Sequence, residues 1–268
     1  MNIIERNFYR LLRAGALHTK EQIEPLSAWK WGRLYQLSEM HDVASIIYKG
    51  IEACRGQFFV QVPDELLAQW AAAVPHDEAG ENTLLVADRL TNPILNRQLQ
   101  DILDDEGSTI ETRTALLHLV GIARFIMNAG VPVKRITELA VFLRLSGKKV
   151  DNGQLEGWIK RLQLGRMTQL TATMLVQLMH FQPEELPFVQ TATNEIMEKQ
   201  IEKILQEKNS HTEDWYFSQG KDIFIHTSNA SAMLWHVRRS AKCLSYYPTE
   251  TVTNFFTAFA HSLSHIEE

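Results

Sequence analysis

Apolar residues recur at helical spacing along almost the whole chain. Ile4, Phe8, Leu11 and Leu12 open the pattern. Ser27 is placed to cap a helix carrying Trp31, Leu34 and Leu37, and a further helical run, Val43 to Ile51, ends near Gly50. Pro63 suits the first turn of the next helix, with Asp64 and Glu65 beside its positive end. That helix is expected to reach about Ala73. Residues 74–82 gather Pro, Gly and acids, and predict a loop. The pattern from Thr83 to Leu103 is helical but interrupted at Pro93, and Asp104 to Ser108 is another break.

Thr112 to Asn128 is the most apolar helix, and its hydrophobic circumference predicts a central buried position. Gly130 and Pro132 stop it. Val133 to Ser146 repeats the form and stops at Gly147. Asp151 and Gln154 make an Asp variant of the capping box, followed by Leu155, Trp158, Ile159 and Leu162 on one face. Gly165 closes that helix. Leu170, Met174, Leu175, Leu178 and Met179 define another face, and Gln182 to Pro187 reads as a loop. Thr191 to Lys208 reads as a solvated helix, and residues 209–230 are polar and broken. Two last helices cover about Ala232–Ser245 and Thr249–Ile266, the second with Val252, Phe255, Phe256, Phe259 and Leu263 on one face.

Strand candidates are short: Phe58–Val62 and Ile223–His226. With no alternation of strands and helices, the expected class is all-α, an irregular multi-helix bundle with at most one short hairpin. Its parts are an N-terminal helical region (1–73), a connecting segment (74–111), a central helical bundle (112–190) and a C-terminal helical region (191–268). These could equally form one continuous domain.

Composition narrows the class of function. Of 268 residues, 45% are hydrophobic, enough for a sizeable core and too many for a disordered chain. Against 27 Lys and Arg stand 32 Asp and Glu, a formal charge of −5, which argues against a dedicated nucleic-acid binder. Cys54 and Cys243 make neither a disulfide framework nor a zinc site, and their apolar surroundings predict buried thiols. Glu5, Arg6, Asn7, Arg10 and Arg13 interrupt any signal-peptide core, and no run of apolar residues is long enough to span a membrane. The expected location is the cytoplasm.

Motifs for chemistry are sparse. No phosphate-cradling glycine loop occurs; Gly147-Lys148-Lys149 follows a helix and reads as its cap. His261 and His265 stand at i, i+4 without a third ligand, so no metal and no cofactor is expected. G-x-S-x-G is absent, and His118, on the most apolar helix, reads as a satisfied core histidine. Asp104-Asp105-Glu106 is the only spacing resembling a magnesium-binding acidic pair, and it lies in a helix-terminating loop. Lys148, Lys149, Lys160, Arg161 and Arg166 form one basic concentration and Arg238, Arg239 and Lys242 another, with Trp158, Trp235, Tyr246 and Tyr247 interleaved. Trp158, Lys160, Arg161, Arg166, Trp235, Arg238 and Arg239 are the candidate ligand-binding residues, for a phosphorylated small molecule or an acidic partner. The competing reading is positive faces set against negative helix ends.

Two blocks carry a resemblance. The first runs from Phe8-Tyr9-Arg10-Leu11-Leu12-Arg13-Ala14-Gly15 through Trp31, Leu34 and Leu37 to Ile46-Ile47-Tyr48-Lys49-Gly50-Ile51, Pro63 and Trp70. The second runs from Leu116-Leu117-His118-Leu119 through Gly130-Val131, residues 135–143 (RITELAVFL), Val150-Asp151 and Leu164-Gly165-Arg166 to Glu185-Leu186-Pro187-Phe188. Together they resemble the helical flanks of the uncharacterised bacterial nucleotidyltransferase family. The resemblance implies a catalytic core between the blocks, with a Lys-Gly turn and a Gly-Asp-x-Asp strand for magnesium and nucleoside triphosphate. The interval from about Ala71 to Thr112 has neither, so no catalytic residue carries over. What the resemblance implies here is a catalytically empty relative that binds a protein partner or substrate. The alternatives are an enzyme binding a nucleotide or other phosphorylated ligand at the basic-aromatic residues, and an obligate oligomerisation or toxin–antitoxin-like partner.

Overall fold

A computed structural model describes residues 1–78, 89–128, 133–188 and 243–264, the side chains of 75–78 and 258–264 excepted. Among the described residues there are ten α-helices and no strand. They are α1 (Ile3–Leu17), α2 (Ala28–Met40), α3 (Ala44–Cys54), α4 (Asp64–Glu78), α5 (Pro93–Leu103), α6 (Ile110–Asn128), α7 (Val133–Ser146), α8 (Asn152–Arg161), α9 (Gly165–Met179) and α10 (Pro248–Ser264). The fold is an all-α multi-helix bundle. Phe58–Val62 is not a strand: Val60 N donates to Gln57 O at 3.0 Å and closes a turn. Ile223–His226, the helix expected at 191–208 and the breaks at 129–132 and 209–230 lie outside the described residues.

The chain divides into two compact units. One comprises Met1–Ala87, Pro132–Lys148 and Met174–Leu186; the other comprises Asp88–Val131, Lys149–Thr173 and Pro187–Glu268.

In the first unit, α1 packs against α2, α3 and α7, and α4 against α2 and α3. Helix α1 begins with a full capping box. Asn2 Oδ1 accepts from Ile4 N and Glu5 N, and Asn2 N donates to Glu5 Oε2 at 2.9 Å. Its contact with α3 is set by two glycines. A Cβ on Gly15 would lie 2.0 Å from Ile46 O, and a Cβ on Gly50 would lie 2.0 Å from Leu11 O. Both obstacles are backbone, which cannot swing aside. The pairs 11/15 and 46/50 are each i, i+4, so the two helices meet backbone to backbone along one line. Leu11, Leu12, Ile47 and Ile51 flank that line, all buried. Gly50 therefore sits inside α3, which continues to Cys54. Helix α4 is joined to α2 by Trp70, whose Nε1 donates to Ser38 Oγ at 2.9 Å and whose ring meets Trp31 edge to face. The α4 backbone also runs past Ala73 to Glu78, through Pro75. A proline removes one helical hydrogen bond, and here it marks the last turn rather than the stop.

In the second unit, α6 carries eleven buried residues, from Thr112 to Met127, and packs against α8. The start of α8 departs from the expected box. Asp151 Oδ1 accepts from Gln154 N at 2.9 Å, but Asp151 N donates to Thr112 Oγ1 on α6 instead of to Gln154. The end of α8 also differs. Gln163, not Gly165, takes the left-handed conformation (φ 58°). Leu164 N donates to Ile159 O and Gln163 N to Lys160 O, a Schellman closure with Leu164 buried beneath it. The α2–α3 corner repeats this form with Asp42 (φ 54°) and buried Val43.

Glu250 fixes α10 to the start of α5. Its carboxylate is fully buried and accepts from Thr91 N, from Thr91 Oγ1 at 2.7 Å and from Asn92 N at 2.9 Å. Asn92 is the N-cap of α5, and Glu250 lies in the first turn of α10. One carboxylate thus faces the positive ends of two helices.

Two predictions follow from these contacts. Gly15→Ala or Gly50→Ala forces the α1–α3 backbones apart and is expected to cost about 3 kcal/mol, the upper part of the range for overpacking. Gly32→Ala, which meets open space, is expected to cost nothing comparable. Denaturant unfolding of the three variants checks this. Glu250→Ala leaves the half-buried N–H groups of Thr91 and Asn92 without an acceptor and is expected to cost about 2 kcal/mol, read by the same method.

Candidate functional site

The basic-aromatic residues split between places. Trp158 lies on the inner face of α8 and is 8% exposed, so its ring is core rather than platform. Lys160 and Arg161 occupy the exposed last turn of the same helix. Lys160 pairs with Glu156 one turn back, and Arg161 Nη2 donates to Asp101 Oδ2 of α5 at 3.1 Å. Arg166, in the first turn of α9, donates from Nη1 to Ser245 O at 2.6 Å. Nearby, Tyr247 is buried and its hydroxyl donates to Leu162 O at 2.8 Å, so the two side chains dock residues 245–247 on the α8–α9 corner. The three cations are turned to groups of the chain itself. Trp235, Arg238 and Arg239 lie outside the described residues.

The acidic triplet is a turn. Asp104 caps the end of α5, Asp105 Oδ1 accepts from Gly107 N at 3.0 Å, and Asp105 O accepts from Ser108 Oγ. Arg113 closes the same turn, donating to Leu103 O and Ser108 O. Among the described residues no group of three His, Cys, Asp or Glu could hold a metal ion, and no helix is long and apolar enough to cross a membrane. Cys54 and Cys243 are buried, and neither forms a disulfide. Burial, with the Glu21 charge, pushes the Cys54 thiol up, which disfavours the nucleophilic thiolate. His118 is buried on α6.

Among the described residues, a cluster of three arginines and two glutamates lies in the first unit. Arg6, Arg10 and Arg13 stand at i, i+4 and i+7 on α1, and they hold residues 18–27, which form no helix. Arg6 grips Glu24 with both arms of its fork, Nε at 2.9 Å and Nη2 at 2.8 Å, while Arg10 Nη1 donates to Glu24 Oε1 at 2.7 Å. Arg13 is buried. It grips Glu21 in the same bidentate way at 2.8 and 3.0 Å, and its Nη1 donates to Leu178 O at 2.8 Å. Carboxamides serve the backbone of the strap. Asn7 exchanges two 2.9 Å bonds with Glu24 N and O, while Gln57 accepts from Ile23 N and donates to Glu21 O. Ile23 is buried under the strap.

No protein-family model, no curated protein and no solved structure matches the chain.

The chemistry of the cluster is that of a latch. Guanidinium forks and carboxylates neutralise each other, and the thiol beside them, Cys54, points its Sγ at Glu21 O at 4.0 Å. Hydrogen bonds from Arg6, opposed by desolvation and helped by its charge and by Arg10, lower the Glu24 carboxyl to about 2. For Glu21, burial works upward, but the bonds and charge of Arg13 outweigh it and the net shift is downward. At the end of α9, burial and then Arg13 lower His180, so its imidazole gains a proton less readily than usual. The sequence signal for the latch was present as three arginines at helical spacing before two glutamates, but nothing local says that residues 18–27 fold back along α1.

A depressed carboxylate adds stability that is complete above its unfolded value, about 4.3, and is lost as pH falls through the folded one. Stability should therefore decline between about pH 4 and about pH 2 as Glu24 takes a proton. Glu24→Gln is expected to flatten that part of a melting-temperature profile, and an unchanged acid limb would count against the latch.

Proposed function

We propose that the chain is a non-catalytic helical binding or regulatory protein of the bacterial cytoplasm, related to the nucleotidyltransferase family through its helical flanks. The observation that carries the reading is the composition of the interval between the two resembling blocks. There, α5 and the 104–108 turn stand where the resemblance implies a catalytic sheet, and Asp105 serves a turn. Nucleotidyl transfer needs carboxylates presented together to magnesium and the triphosphate. A carboxylate already accepting from Gly107 N in a helix-terminating turn is arranged for local structure. The pairing of Lys160, Arg161 and Arg166 with Glu156, Asp101 and Ser245 O favours a binding protein over an enzyme that grips a phosphate at those residues. Function of this kind would rest on protein surfaces.

The reading is tested with purified protein, magnesium and each of the four nucleoside triphosphates. The expected outcome is no release of pyrophosphate and no labelled product, together with no rise in melting temperature on adding nucleotides or sugar phosphates. Magnesium-dependent transfer that disappears in Asp104→Asn/Asp105→Asn would overturn it.

A further inference from the structure

The turn after α3 places two large apolar side chains in solvent. Phe58 is 79% exposed and Phe59 51%, and their rings meet edge to face with centroids 5.3 Å apart. Two adjacent exposed phenylalanines present on the order of 250 Å² of apolar surface. The turn is held from its base. Gln57 N donates to Cys54 O and Val60 N to Gln57 O. The Gln57 carboxamide is bonded on both sides to the strap, accepting from Ile23 N at 3.0 Å and donating to Glu21 O at 2.6 Å. Gln61 Nε2 also donates to Phe58 O. The backbone that carries the two rings is thus ordered before anything binds, which lowers the entropic cost of docking.

We propose that the Phe58–Phe59 turn is a docking plug that enters an apolar pocket, rimmed by Lys or Arg, on a partner protein. The proposal rests on the binding-protein reading and names its surface. Charge and shape choose the occupant. Arg55, the cation at the turn's base, is paired with Glu52 at 3.1 Å, while Asp64 and Glu65 stay exposed just after the turn. An anionic membrane surface would repel that flank, whereas a cationic rim would complement it. Two copies meeting tip to tip would set ring against ring with no pocket to enclose either pair, whereas aromatic anchors bind in well-packed, desolvated pockets. A projecting aromatic pair with an acidic flank fits a concave, positively rimmed receptor, where buried aromatic anchors dominate binding energy.

The test places a photo-crosslinking phenylalanine analogue at position 59 of the full chain, in cells that carry the gene naturally. The expected result is one discrete adduct with a different protein, mapped to an apolar pocket bordered by Lys or Arg. Its yield should fall roughly tenfold with Phe58→Ser, a hot-spot-sized loss, and fall again with Asp64→Lys/Glu65→Lys. Phe58 is exposed, so Phe58→Ser should leave the melting temperature unchanged. Asp64→Lys/Glu65→Lys reverses charges in the first turn of α4 and should lower it slightly, so yields are compared well below both melting temperatures. No adduct, an adduct with a second copy or with lipid, or a yield indifferent to these substitutions would overturn the proposal. Nucleotide transfer by the same chain would instead remove the binding-protein reading and leave the docking result standing.

Discussion

The first unit depends on how closely α1 can approach α3. Gly15 against Ile46 O and Gly50 against Leu11 O leave no room for a Cβ on either side. At that separation the Cα–H groups of one helix face carbonyls of the other, a weak attraction that recurs at helix interfaces. The larger consequence is geometric. Leu11, Leu12, Ile47 and Ile51 can interdigitate beside the glycine line only because the backbones touch there. Helices α2 and α7 pack on the same α1.

The strap builds on that arrangement. Once α1 is fixed, its arginine row gives residues 18–27 a path that needs no regular secondary structure. Asn7 and Gln57 supply bonds to strap backbone groups that a helix or sheet would otherwise satisfy. Arg13 is the costly member. A buried guanidinium needs both a carboxylate and a further acceptor, and Glu21 with Leu178 O provides them. Gln57 links the strap to the turn that displays Phe58 and Phe59, so the latch and the proposed docking surface share one residue.

Helical periodicity made the fold class legible, because a 3.6-residue repeat of apolar positions such as Leu155, Trp158, Ile159 and Leu162 has no other satisfactory partner than a core. Helix ends were less legible. Gly50 resembled a stop because glycine usually is one, yet here it answers a neighbouring backbone. Gly165 resembled a stop while Gln163 took the left-handed position. In both cases the deciding group lies on another segment or in the backbone conformation, neither of which the one-dimensional pattern encodes. The basic-aromatic candidates show the same limit. Sequence proximity joined Trp158 to Lys160 and Arg161, but residues two apart on a helix do not share a face, and Arg161 extends its fork outward to Asp101 of α5.

The central claim is that, of the interval between the two resembling blocks, residues 89–109 form a helix and a turn rather than part of a nucleotide-binding sheet. The most direct measurement is the set of ¹³Cα secondary shifts for residues 89–112, recorded with and without magnesium and ATP. The account predicts helical shifts over 93–103 and a turn over 104–109 in both samples. Extended-strand shifts through 104–106, or their appearance on adding magnesium and ATP, would contradict it.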